Sequence, residues 1–118
     1  MRILGFSVDW PKLRQQRFTT FRFSRRDRDW EKGEVVQVVL HPRSKGRQLL
    51  GTAEIVSKEP RMLVEPGWTL SISEEEAVAD GFLNYADMLL WMGKQHGNRV
   101  FQEPINKLTL KWRGRRVK

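Results

Sequence analysis

The sequence predicts a small α+β domain in which mostly antiparallel strands curl into a closed sheet. Three observations carry this prediction. Runs rich in Val, Ile, Thr and Phe recur through the first half of the chain, and these residues favour strands. Start signals for two consecutive helices follow, and an alternating apolar and polar segment comes last. A curled sheet leaves fewer strand edges open to other chains.

In the first half of the chain, the sequence predicts four strands, with a short helix after the first and a hairpin formed by the third and fourth. Strands are expected at residues 3–8, 17–23, 34–40 and 48–59. Asp9 in "DWPKLRQQ" is a candidate N-cap for a turn or two of helix. A turn at residues 32 and 33 precedes the third strand, and the turn residues of "HPRSKGR" connect it to the fourth.

The second half predicts two helices and a closing strand. Residues 60–68 read as irregular chain with a short strand at 61–64. Ser73 and Glu76 form a capping box that begins the first helix, and Gly81 ends it. Asn84 begins the second helix, which ends near "KQHG". "INKLTLKW" at 105–112 has the alternation of a half-buried strand. We therefore expect one domain over residues 1–112 and a basic tail at 113–118.

Size and composition exclude several protein classes. The chain has 118 residues, 39% of them hydrophobic, which suits one packed core. It has no cysteine, so disulfides, thiolate ligands and a cysteine nucleophile are excluded. No apolar run reaches the roughly 18 residues of a membrane helix, and no signal peptide is visible. We expect a cytoplasmic monomer or weak dimer that does not contact membranes.

The charge is strongly positive and unevenly distributed. The formal net charge is +8. Residues 1–32 carry nine basic and four acidic residues, and residues 107–118 carry six basic residues and no acid. Residues 73–93 carry five acids and no base. This segregation predicts that the basic ends share one face, although basic residues kept only for solubility remain an alternative.

The stretch "QQRFTTFRFSRR" at 15–26 combines strand residues with four arginines. Alternation along a strand separates Phe21 and Phe23, which can fill a core, from Thr20 and Arg22 on the other face. Two interpretations stay open from the strand alone. The polar face is either solvated or a site for an anionic ligand.

"RFTTFR" resembles the K-x-x-T-x-R signature of ASCH domains, which belong to the PUA-like β-barrel superfamily. Arg17, Thr20 and Arg22 take the lysine, threonine and arginine positions. "WEKGEVVQVV" is similar to the family's K-x-G-D-x-V segment, with Glu34 for the acid. "SEEEAVADGFLNYADMLLWMGKQHG" is similar to its E-x-A-x-x-E-G-F segment and following helix, with Asp80 at the acidic position, and "INKLTLKW" to its closing strand.

The resemblance implies a small barrel with a cleft that holds RNA, in particular single-stranded RNA, or a nucleotide. Some members are similar to amidohydrolases that act on acylated cytidine through a lysine, a threonine and a glutamate. By position these residues would be Arg17, Thr20 and Asp80. Arginine stays protonated and cannot act as the base that activates a threonine hydroxyl. Binding is therefore the leading prediction, and hydrolysis of acylated cytidine or of RNA is the alternative.

The residues expected to bind nucleic acid are Arg17, Thr20, Arg22, Arg25, Arg26, Asp80, Lys111 and Arg113. Tryptophans 10, 30 and 68 lie in predicted loops, where they either stack on bases or cover the barrel. No cofactor is expected, and His41 and His96 lack metal-ligand spacing. A third possibility is a protein partner that binds the acidic residues 74–76.

Overall fold

The computed structural model describes residues 1–63 and 71–115, and every structural statement below concerns these ranges. Its five strands are β1 (Ile3–Phe6), β2 (Arg17–Arg22), β3 (Val35–Leu40), β4 (Gln48–Arg61) and β5 (Ile105–Arg115). They form one sheet in the order β1-β3-β4-β5-β2. β1 runs parallel to β3, and the other three pairs are antiparallel. The sheet curls into a half-barrel, so the predicted α+β class with mostly antiparallel strands is confirmed.

Two of the helices begin where the capping signals placed them. A 3-10 helix (Pro11–Arg14) follows β1, and α1 (Glu74–Asp80), α2 (Tyr85–His96) and the unpredicted short α3 (Arg99–Gln102) precede β5. The capping box at the start of α1 is present, and Gly81 ends that helix in the left-handed region at φ +119°. The Asn84 side chain caps α2. None of the described helices is long and apolar enough to cross a bilayer.

Some element boundaries differ from the predictions. The 3-10 helix is capped at Trp10 rather than Asp9 and carries Pro11 in its first turn. β5 continues to Arg115, so residues 113–115 of the predicted tail are strand. In place of a strand at 61–64, Arg61 ends β4, and residue 64 lies outside the described ranges. Residue 68 and residues 116–118 also lie outside them.

Both faces of β2 are covered beyond Arg17, which is exposed at the start of the strand. Phe18 points into the half-barrel and packs in a cluster with residues of all five strands. Phe21 belongs to a second cluster that joins the sheet to α1 and α2. The predicted core role of Phe21 and Phe23 is confirmed, because both side chains are buried in this second cluster.

Side chains bridge the two edge strands of the half-barrel. β1 and β2 lie at opposite ends of the sheet order. The Arg22 guanidinium donates to the Gly5 carbonyl oxygen at 2.7 Å, and Arg25 donates to the Ile3 carbonyl oxygen at 3.5 Å. Two arginines thus satisfy strand-edge carbonyls that a neighbouring strand would otherwise pair. The candidate site lies at this junction.

Candidate functional site

A large cleft opens along the junction between β1 and β2. Its volume is about 1470 Å³, and its walls come from both edge strands, the segment after β2, the loop between β3 and β4, and α2. Three groups of residues line it. We call Lys12, Thr20, Arg22 and Asp80 the polar floor, Trp10, Phe82 and Trp91 the aromatic wall, and Arg25, Arg26 and Arg43 the basic rim.

An ion pair between Lys12 and Asp80 lies at the base of the cleft. Lys12 Nζ is 3.1 Å from Asp80 Oδ2, and each side chain is only 4% exposed. Lys12 comes from the 3-10 helix and Asp80 from the last residue of α1. The hydroxyl of Thr19 donates to Asp80 Oδ1 at 2.8 Å. Both carboxylate oxygens are therefore occupied by the protein's own donors.

Burial moves the pKa values of the ion pair away from their ordinary values. Desolvation lowers the pKa of Lys12 to about 8, although the charge of Asp80 opposes this shift. Desolvation also raises the pKa of Asp80, against the opposing effects of Lys12, Thr19 and Arg22. A cleft lysine whose pKa is lowered by burial is a candidate functional residue.

Arg22 and Thr20 form the second half of the polar floor. The Arg22 Nε–H donates to the Thr20 hydroxyl at 3.0 Å, and the guanidinium carbon lies 4.6 Å from the centroid of the Phe6 ring. Burial lowers the pKa of Arg22 to about 10, against the influence of Asp80, so the side chain stays charged at neutral pH. The floor carries two cations and one anion, and the anion is already paired with protein donors.

The aromatic wall is a packed cluster beside Lys12. The ring centroid of Trp10 lies 5.2 Å from that of Phe82 and 5.7 Å from that of Trp91. Trp10 and Trp91 are partly exposed, so each offers ring surface to a ligand. Gly81 permits this packing, because a Cβ built there would lie 2.8 Å from Trp10 Cε3.

The basic rim surrounds the cleft with exposed arginines. Arg25 and Arg26 follow β2, and Arg43 lies in the loop between β3 and β4. Arg99 adds a half-buried guanidinium that lies 4.6 Å from the Phe23 ring centroid. Exposed guanidinium groups around an aromatic and polar interior match a ligand with a flat ring and a phosphate group.

The structure brings together five of the eight residues predicted to bind nucleic acid. The five that line the cleft are Thr20, Arg22, Arg25, Arg26 and Asp80. Arg17 lies three positions before Thr20 in β2 and therefore on the opposite face, and its register partner there is Lys111. Arg17, Lys111 and Arg113 are exposed and are not among the residues that line the cleft.

Sequence reasoning missed Lys12 and left two interpretations open for Trp30. Lys12 follows a proline in a segment predicted only as a turn or two of helix, and its side chain is buried. The signal that could have drawn attention to it is the run of apolar and aromatic residues on both sides, "DWPKL". Trp30 is only 3% exposed and donates its indole N–H to the Phe23 carbonyl oxygen, so it packs in the core.

Comparisons with protein-family models, with curated proteins and with solved structures find no match to this chain. The resemblance to ASCH domains therefore rests on the sequence motifs quoted above. Within residues 1–63 and 71–115, no three His, Cys, Asp or Glu side chains are grouped so as to hold a metal ion.

Proposed function

We propose that this protein binds single-stranded RNA or a nucleotide in the cleft between β1 and β2. One observation carries the proposal: a single cleft combines a basic rim, partly exposed tryptophans and a buried polar floor rich in hydrogen-bond donors. Stacking on an aromatic side chain contributes about 1–3 kcal/mol per base and tolerates any base. Arginine guanidinium groups bind phosphate oxygens through paired hydrogen bonds.

In this proposal the three groups of residues have separate roles. The basic rim holds phosphate, and Trp10 or Trp91 stacks on a base. Lys12, Arg22 and the Thr20 hydroxyl donate hydrogen bonds to acceptor atoms of the base or sugar. The Asp80 oxygens are already occupied by Lys12 and Thr19, so Asp80 does not contact the ligand. Its role is to hold the Lys12 ammonium in place.

The test compares rim arginines with exposed basic residues that do not line the cleft. Arg26→Gln/Arg43→Gln removes two rim charges, and Lys32→Gln/Arg47→Gln removes two charges from exposed residues elsewhere. Binding of a fluorescein-labelled 12-nucleotide RNA is measured by anisotropy from 50 to 300 mM salt. We expect the rim variant to reduce the slope of log K against log salt by about 1.4, since each phosphate contact on a single strand contributes about 0.7. Equal slopes for the two variants would contradict the proposal.

A second candidate function is hydrolysis of an acylated nucleoside, and the buried Lys12 is the observation that favours it. The sequence motif gave the base position to Arg17, which cannot release its proton at physiological pH. With its pKa lowered to about 8, the Lys12 amine is partly neutral near pH 7–8 and is able to accept a proton. In this proposal Lys12 is the base, Thr20 the nucleophile and Asp80 the residue that positions Lys12.

Hydrolysis is tested by incubation with N4-acetylcytidine and, separately, with labelled RNA. Release of cytidine and acetate that is lost in Thr20→Val and in Lys12→Arg would support the enzyme. Arginine keeps the positive charge of Lys12 but not its ability to accept a proton. Absence of turnover for both substrates in the wild type would eliminate this function and leave the binding proposal standing.

A further inference from the structure

A second basic surface lies on the outer face of the sheet, away from the cleft. Arg17 in β2 and Lys111 in β5 are directly opposite each other in the antiparallel register, and both side chains are exposed. Arg113 follows two positions after Lys111 and is also exposed. We call these three residues the outer basic face.

The outer basic face begins where the helical layer ends. Further along the same pair of strands, the Thr19 hydroxyl contacts Asp80 of α1, and Lys107 forms an ion pair with Glu76 of α1 at 2.8 Å. The helices therefore cover that part of the sheet and leave Arg17 and Lys111 open. Arg17 and Arg22 are five positions apart, which is about 17 Å along a strand, and they point to opposite faces.

The charges on this face are incompletely neutralised. Arg113 donates to Glu54 at 2.8 Å, and Glu54 is also the register partner of Lys111 on β4. Among the described residues, neither Arg17 nor Lys111 forms an ion pair. Like charges directly opposite each other on adjacent strands destabilise a sheet. A bound anion between the two side chains would remove this repulsion.

We infer that the outer basic face binds the phosphate backbone of a single-stranded RNA whose other nucleotides occupy the cleft. This inference rests on the proposed binding function. A strand that reaches both surfaces must cover at least about 17 Å, and therefore several nucleotides. The cleft alone therefore suffices for a mononucleotide, whereas a longer RNA contacts both surfaces.

The test uses ligands of two lengths: the mononucleotides AMP and UMP, and a labelled 12-nucleotide RNA. Arg17→Gln/Lys111→Gln is compared with Lys32→Gln/Arg47→Gln, which removes the same charge from exposed residues outside both surfaces. Because the first variant removes two cations that would each hold a phosphate, we expect a salt slope shallower by about 1.4 and affinity for the 12-mer lower by on the order of 25-fold at 0.1 M salt. Affinity for the mononucleotides should not change.

A charge reversal separates lost binding from lost folding. Arg17→Glu places an opposite charge across from Lys111, so the thermal midpoint should rise or stay constant while affinity for the 12-mer still falls. Mononucleotide binding without any loss of 12-mer affinity in these variants would overturn the inference and leave the cleft proposal intact. Failure of the wild type to bind either ligand would instead overturn the cleft proposal. Equal affinity of the wild type for polyglutamate, lost in Arg17→Gln/Lys111→Gln, would assign this face to acidic proteins and overturn the RNA assignment.

Discussion

The buried pair of Lys12 and Asp80 is expected to show strong energetic coupling. At 3.1 Å, two unit charges attract by about 5 kcal/mol if the effective dielectric constant is about 20. Burial opposes this attraction. The fall in the Lys12 pKa from 10.5 to about 8 corresponds to about 3 kcal/mol against the charged amine in the folded state. The pair is therefore costly to disrupt but contributes little to net stability.

A double-mutant cycle measures this coupling. Lys12→Met leaves Asp80 buried without its cation and should cost about 3–5 kcal/mol at pH 7. Asp80→Asn keeps an acceptor for Thr19 but leaves the Lys12 charge unpaired, so a loss of similar size is expected. The double variant should lose less stability than the sum of the two single losses, by a coupling of about 2–3 kcal/mol. Urea unfolding followed by circular dichroism gives the four free energies. Additivity within about 0.5 kcal/mol would refute the reasoning.

The same pair predicts an alkaline rise in stability. The unfolded chain holds the Lys12 proton up to its ordinary pKa of 10.5, whereas the folded chain releases it near pH 8. Between these values the unfolded state binds more protons, so the free energy of unfolding rises with pH. Measurements between about pH 7.5 and 9.5 should show this rise in the wild type and not in Lys12→Met. A flat wild-type profile would contradict the assignment.

Three further predictions concern α1, the aromatic wall and the strand junction. Burial alone would raise the pKa of Glu76, but Lys107, the Ser73 backbone and Arg61 outweigh it and lower that pKa from 4.5 to about 2. The stability that results from the ionised carboxylate is lost as pH falls from 4.5 to about 2. Glu76→Gln keeps an acceptor for the Ser73 N–H but removes the charge. In urea unfolding it should cost about 1–3 kcal/mol at pH 7 and much less at pH 2. Gly81→Ala should cost about 1–3 kcal/mol in the same assay and alter tryptophan fluorescence, because its methyl group would meet the Trp10 ring. Gly93→Ala is the control, since a methyl group there meets no other atom, and it should not destabilise the protein. Equal effects of the two substitutions would exclude the Trp10 contact. In Arg22→Lys, the single ammonium group cannot donate to both the Gly5 carbonyl and the Thr20 hydroxyl, so the substitution should cost about 1.5–3 kcal/mol. Arg26 makes no such hydrogen bonds among the described residues. Arg26→Lys should therefore leave the thermal midpoint unchanged.

Local sequence signals predicted the helices well. The capping box and the left-handed Gly81 bound α1, and Asn84 begins α2, because these devices act within a few residues of each other. Contacts between segments that are distant in sequence could not be predicted from such local signals. The continuation of β5 to Arg115 depends on pairing with Gly51 of β4, which takes φ +147° beside a shift in register. A Cβ at Gly51 would lie 2.1 Å from the Gly114 carbonyl oxygen, so a contact 63 positions away determines this ending.

Alternation along β2 predicted part of the site, and the motif resemblance added Asp80. Thr20 and Arg22 share a face of β2 by alternation, and both line the cleft. The same alternation separates Arg17 from Thr20, because the two residues are three positions apart. The motif resemblance did not take this into account. Lys12 contacts Asp80 across 68 positions of sequence, and neither residue type indicates such a pairing by itself. Lys12 is buried where the 3-10 helix contacts β2 and the side chain reaches Asp80 at the end of α1.

Arg22 links the stability of the fold to the chemistry of the cleft. Its guanidinium bridges β2 to β1 through the Gly5 carbonyl oxygen and also orients the Thr20 hydroxyl. Its positive charge also helps to lower the pKa of Lys12. An anion bound beside Arg22 would offset that charge and raise the Lys12 pKa, which strengthens Lys12 as a hydrogen-bond donor and weakens it as a base. A phosphate on the floor therefore favours binding over hydrolysis, whereas a neutral nucleoside leaves Lys12 able to accept a proton. The charge of the group that reaches the floor thus separates the two proposed functions.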